Sequence, residues 1–180
     1  MKLITGGARS GKSAYAQRLA EGSKRVWYIA TSRVFDNEMA ARVAEHQLNR
    51  PAHWHTLEAW RDVDRLITPE LAAQDTVLLE CMTTLITNEL YHQAGDTPEE
   101  EWDFVVLERA VNQQIDALLQ ACAVCPAQII IVTNELGMGI VPENRLARHF
   151  RDIAGRVNQR LAARAEAVWL LVSGIEVKIK

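Results

Sequence analysis

A chain of 180 residues with 48% hydrophobic content is long enough to bury a core without disulfides or metals, so one domain over residues 1–180 is expected. A formal net charge of −3 gives no long-range attraction for polyanions, which argues against nucleic acid or an anionic membrane as partner. No run approaches the roughly 20 apolar residues that span a bilayer, and the N-terminus lacks a long apolar leader, so a cytoplasmic protein without stable membrane insertion is expected.

Lys2 to Thr5 reads as a short strand, and Ser13 to Glu21 as a helix stopped by Gly22. Between them Gly6, Gly7, Ala8, Arg9, Ser10, Gly11, Lys12 and Ser13 fit G-x-x-x-x-G-K-[ST], in the strand–loop–helix context which that pattern requires. Its glycines let backbone N–H groups curl around an anion, and the helix N-terminus adds positive potential. Lys12 reaches the β and γ phosphates, and Ser13 can bind Mg²⁺. Nucleotide binding follows, with ATP and GTP both open as donors. The lack of an N-K-x-D guanine motif weakens a switch-GTPase reading.

Arg25 to Ala30 reads as a second buried strand and Asp36 to Leu48 as a helix, with Met39, Val43 and Leu48 on one side and Asp36 as cap. Trp54 to Leu57 suits a short strand and Trp60 to Ile67 a short helix. Thr76 to Glu80 is a continuous apolar strand ending in a carboxylate, as in a parallel sheet buried on both faces. Glu80 is therefore either a Mg²⁺ carboxylate, as P-loop proteins place at such a strand end, or a strand-end charge with no role.

A helix around Thr83 to Tyr91 leads through the loop Gln93 to Pro98 into a long helix from Glu99 to Ala121, then the strand Gln128 to Thr133. Among three cysteines, an odd number suited to reduced thiols, Cys122 and Cys125 form a C-x-x-C. That pair follows a helix and precedes Pro126, whereas a redox pair sits at a helix N-terminus, and no second pair completes a zinc site. Asn134 to Gly139 follows a strand end, where α/β folds place ligand loops. A substrate, nucleotide or subunit contact and an ordinary connection are both open for it. Glu143 to Ala165 carries Leu146, Phe150, Ile153, Val157 and Leu161 at helical spacing as a core face, with six arginines turned elsewhere and mostly solvated. Ala167 to Val172, the turn Ser173-Gly174 and Glu176 to Ile179 form a terminal hairpin. The alternation indicates a three-layer α/β fold with a mostly parallel sheet and a C-terminal antiparallel hairpin.

Five segments together resemble one family. They are TGGARSGKS at Thr5 to Ser13, YIAT at Tyr28 to Thr31, EMAARVAEHQLNRPAHWHTLE at Glu38 to Glu58, LLEC at Leu78 to Cys81, and the stretch from Thr133 to Ala162 that begins TNELGMGIVPEN. In this order they are similar to the adenosylcobinamide kinase/guanylyltransferases of cobalamin nucleotide-loop assembly. The resemblance implies a RecA-like P-loop fold, a homotrimer, and a corrinoid substrate. It further implies phosphorylation of adenosylcobinamide, then transfer of GMP from GTP to that phosphate through a guanylylated histidine.

By motif position in E-H-x-x-x-R-P the histidine is His46, and the resemblance implies nucleotide contacts by Ala30, Thr31, Ser32, Gln47, Leu48, Asn49, Arg50, Glu58 and Glu80. Many relatives carry Asp at the position of Glu80. A neutral imidazole is abundant at cellular pH and offers a lone pair to phosphorus. Read from the residues alone, His46 is a polar-face histidine, Arg50 is either a phosphate contact or a surface charge, and Glu45 and Glu58 are unranked as partners of the imidazole or the guanosine. His53, His55, His92 and His149 have no motif support and read as structural or solvated.

Overall fold

The computed structural model describes residues 1–33, 40, 44 and 50–180. Seven strands form one sheet in the order β3-β2-β4-β5-β1-β6-β7. They are β1 (Lys2–Gly6), β2 (Arg25–Ala30), β3 (His55–Glu58), β4 (Asp75–Glu80), β5 (Gln128–Val132), β6 (Ala167–Val172) and β7 (Ile175–Lys178). Every pairing is parallel except β6 with β7, which close the antiparallel hairpin expected at the C-terminus. The helices are α1 (Lys12–Ala20), α2 (Met82–Ala94), α3 (Phe104–Val124) and α4 (Arg145–Arg164). The expected helix from Asp36 to Leu48 falls on residues that, Ala40 and Ala44 apart, lie outside the described ones.

The apolar runs are continuous because both faces of the sheet are covered. On one face Ile4, Tyr28, Leu78, Ile130 and Val132 pack with Tyr15 and Ala16 of α1 and with Trp54. On the other, Leu3, Ile29, Val77, Leu79, Ile129 and Ile131 pack with α2, α3 and α4, through residues such as Leu85, Leu107, Ile115, Val157 and Leu161. Successive strand residues divide between these clusters by the period of two. Truncating a fully buried member such as Leu78 to Ala costs about 2–5 kcal/mol.

Several helix boundaries depart from the sequence reading. The long helix does not begin at Glu99. Glu99–Glu101 is a separate 3-10 turn, Trp102 is buried with its indole N–H donating to the Thr97 carbonyl at 2.9 Å, and Asp103 then caps α3 by accepting from Val105 and Val106 N–H. It runs on to Val124 because Pro126, which bars a helical residue before it, comes only after Cys125. The short helix expected at Trp60 to Ile67 shrinks to a 3-10 turn at Val63–Leu66, entered from Asp62 at φ 50°.

The arginines of the last helix face away from the core as expected, and several of them are paired. Arg145 and Arg148 donate to backbone carbonyls, among them Trp102 and Pro142, while Arg156 pairs with Glu108 and Arg160 with Asn112 and Asp116. Those acceptors lie four residues apart on α3, as the two arginines do on α4, so two helical stripes match across the helix pair.

Candidate active site at the phosphate-binding loop

β1 ends at Gly6, where the chain must turn across the C-terminal edge of the sheet, the edge at which parallel α/β folds bind ligands. Gly6 has φ 153°, and a Cβ there would lie 2.5 Å from the Leu171 carbonyl oxygen and 2.7 Å from Ser10 Oγ. Gly11 closes the loop at φ 94° and has no side chain to bond the first-turn amides of α1, which leaves those N–H groups to phosphate oxygens. The β6–β7 turn braces the loop from outside, since the Gly174 N–H donates to the Ser10 carbonyl at 2.9 Å.

Lys12 is 8% exposed, and its Nζ donates to the Gly7 carbonyl at 2.5 Å. Burial lowers its pKa from the ordinary lysine value, against the opposing pull of Cys81 and Glu80. Ser13 donates to Glu80 Oε1, and the Tyr28 phenol donates to Glu80 Oε2 at 2.8 Å. Strand register explains this meeting. Glu80 sits opposite Ala30, which sits opposite Glu58, so both carboxylates stand on one cross-strand row with a small residue between them. Tyr28 stands two residues back along β2 on the same face, opposite Leu78 and Thr56, which makes Glu80 its diagonal neighbour. The glutamate chain, one methylene longer than aspartate, reaches Ser13 although β5 separates β4 from β1.

Thr31 is fully buried. Its hydroxyl donates to the Cys81 carbonyl and accepts from the Cys81 N–H, each at 2.8 Å, which ties the end of β2 to the turn after Glu80. Ala30 and Ser32 flank it, half-buried. The Arg50 guanidinium lies over the Tyr28 ring at 3.5 Å, and its Nη1 donates to Thr56 Oγ1 at 2.8 Å. Arg50 Nε is buried and has no hydrogen-bond partner among the described residues. A cavity of about 430 Å³ opens there, lined by Arg50, Pro51, Ala52, Trp54, Thr56 and Glu58. His46, Gln47, Leu48 and Asn49, with Glu45, lie outside the described residues.

On the other side of the loop, the Glu135 N–H donates to the Gly6 carbonyl at 2.9 Å, and Asn134 donates to Thr83 Oγ1 at 2.7 Å. Asn134 to Gly139 is therefore fastened to the phosphate-binding loop, and just beyond Glu135 it exposes Leu136, Met138, Ile140 and Val141. Cys122 and Cys125 are free thiols, and burial pushes Cys122 up to about 12, the reverse of what thiolate chemistry needs. His55 stacks on Trp27 and His149 on Phe104. Among the described residues no group of three or more His, Cys, Asp or Glu could hold a metal, and no helix is long and apolar enough to cross a membrane. Sequence reasoning passed over Tyr28, although strand alternation puts it on the same face as Ala30.

A family model described as cobinamide kinase / cobinamide phosphate guanyltransferase matches residues 2–179. The Bifunctional adenosylcobalamin biosynthesis protein CobU of Salmonella typhimurium is 60% identical over 180 residues, covering 100% of this chain and 99% of that protein. The protein of the same name from Escherichia coli is 57% identical with the same coverage. The Bifunctional adenosylcobalamin biosynthesis protein CobP of Pseudomonas aeruginosa is 40% identical over 179 residues, 99% of this chain and 96% of that one.

Proposed function

The chain belongs to the cobinamide kinase / cobinamide phosphate guanyltransferase family, and from that premise we propose how its residues divide the two reactions. It is a bifunctional transferase of adenosylcobalamin biosynthesis that uses nucleotide substrates. In the kinase reaction the nucleoside triphosphate, ATP or GTP, lies in the loop from Gly6 to Ser13. The cobinamide hydroxyl oxygen forms a bond to the γ-phosphorus as the bond from that phosphorus to the β-bridging oxygen breaks. Lys12 offsets charge on the β and γ phosphates, and the first-turn amides of α1 hold their oxygens.

Two hard oxygen donors in contact, Ser13 Oγ and Glu80 Oε1, fit Mg²⁺, which takes few protein ligands and completes its shell with phosphate oxygens and water. Ser13 and Glu80 would hold the ion, and when bound it supplies charge neutralisation at the transferring phosphoryl group. Lys12 buried against the Gly7 carbonyl, with Ser13 in contact with Glu80 at the same glycine loop, is the observation that carries the nucleotide half of this reading.

In the second reaction His46 attacks the α-phosphorus of GTP and pyrophosphate leaves. The bound GMP then passes to the phosphate of adenosylcobinamide phosphate to give adenosylcobinamide-GDP. Support for His46 comes from the sequence E-H-x-x-x-R-P and from the chemistry of a neutral imidazole. Glu58 and Arg50 line the neighbouring cavity and suit the guanosine and the transferred phosphate. The enzyme works as a homotrimer in the cytoplasm, where free thiols persist.

Incubation with α-labelled GTP tests the covalent step. The protein becomes labelled and pyrophosphate is released, γ-labelled GTP gives no such adduct, and the P–N bond is acid-labile and alkali-stable. His46→Ala abolishes the label. An acid-labile α-label of normal yield on the His46→Ala protein would move the nucleophile elsewhere, and no label on the wild-type protein would leave a kinase without a covalent intermediate.

A further inference from the structure

We propose that Tyr28 is a positioning residue for both half-reactions, its hydroxyl aiming Glu80 at Ser13 and its ring seating Arg50 at the cavity that Glu58 also lines. The inference rests on the division of labour above, with Glu80 on the metal and phosphate side and Arg50 four residues after His46. The geometry that carries it is a chain of contacts through one side chain. Tyr28 is 3% exposed, so its hydroxyl must find a protein partner, and Glu80 Oε2 accepts from it at 2.8 Å. With Oε1 taken by Ser13 and Oε2 by Tyr28, the plane of the carboxylate is fixed at both oxygens. Glutamate has one more rotatable bond than aspartate, and an unpinned Glu80 would place a metal-binding oxygen less sharply.

The ring face does a second job. Arg50 lies 3.5 Å from its centroid, a cation–π contact on the face of a buried ring, and Thr56, the cross-strand partner of Tyr28, takes Arg50 Nη1. This leaves Arg50 Nε buried without a described partner, a donor that suits a phosphoryl oxygen in the adjoining cavity.

Two substitutions at this position separate the two jobs. Tyr28→Phe keeps the ring and removes the hydroxyl. Its Mg²⁺ requirement, read by equilibrium dialysis of a non-hydrolysable GTP analogue, rises about tenfold, the usual loss when an outer partner of a metal ligand is removed. Analogue binding without Mg²⁺ is unchanged, and excess Mg²⁺ rescues both half-reactions. Tyr28→Leu also removes the seat of Arg50, so labelling by α-labelled GTP falls about tenfold and excess Mg²⁺ does not restore it. In an Arg50→Ala background at excess Mg²⁺, adding Tyr28→Leu lowers labelling no further, since the ring has no guanidinium left to seat. An unchanged Mg²⁺ requirement in Tyr28→Phe, or wild-type labelling by Tyr28→Leu, overturns the proposal. Absence of any GMP label on wild-type protein overturns instead the reading on which it rests.

Discussion

At the scale of single residues, Lys12 is expected to serve both reactions, because the sequence holds one P-loop. Lys12→Ala removes the buried side-chain cation of the loop and is expected to slow both half-reactions about 100-fold or more, measured separately at saturating substrate. Retention of either at near wild-type rate would place that nucleotide elsewhere. Cys122 gives a prediction about stability. Its thiol ionises near 9 in an unfolded chain and at about 12 in the folded one, so below the first value both states are protonated. Between the two values only the unfolded chain loses its proton, and folding stability falls across that window. Urea midpoints are expected to decline with less slope there in Cys122→Ala than in the wild type. The site was legible where its parts are close in sequence, since Lys12 and Ser13 sit in one loop and Glu80 ends a recognisable strand. Tyr28 was not, because its contact with Glu80 depends on β2 pairing with β4, a register that local pattern does not contain.

At the scale of elements, the start of α3 is decided by a cap and not by propensity. Glu99 to Glu101 favour helix, yet Asp103 accepts from two backbone N–H groups and Trp102 is drawn into the core ahead of it. Asp103→Ala is expected to cost about 1 kcal/mol, read as a lowered urea midpoint with an unchanged slope, and Asp103→Asn to recover most of it. Strands were legible to within a residue or two because burial on both faces leaves continuous apolar runs, and β2 matched from Arg25 to Ala30. Helix ends were less so, since Asn144 caps α4 two positions after Pro142 and the Trp60 to Ile67 segment turns at Asp62. The partners of the arginine stripe were not legible for a related reason. Arg156 and Arg160 find their partners on α3, and a helix viewed alone shows only that they face away from its core side.

For the whole molecule, assembly is the open expectation, and light scattering at micromolar concentration is expected to give three times the chain mass. The exposed Leu136, Met138, Ile140 and Val141, carried on a loop fastened to the phosphate-binding loop, form an apolar surface beside the site. Ile140, 93% exposed, can be changed to Asp without disturbing the core. A drop in mass would make the loop a subunit contact, whereas an unchanged mass with a raised KM for cobinamide would make it a corrinoid contact. The position of β1 has its own outcome during synthesis. The phosphate-binding loop precedes by more than a hundred residues the strands that flank it, since β1 lies between β5 and β6, and Gly174 braces Ser10. Such non-local pairing makes the loop wait on later segments. A chain that has emerged only as far as α4 therefore carries the nucleotide motif without β6 or its Gly174 brace, and nucleotide capture is expected to begin only once they arrive.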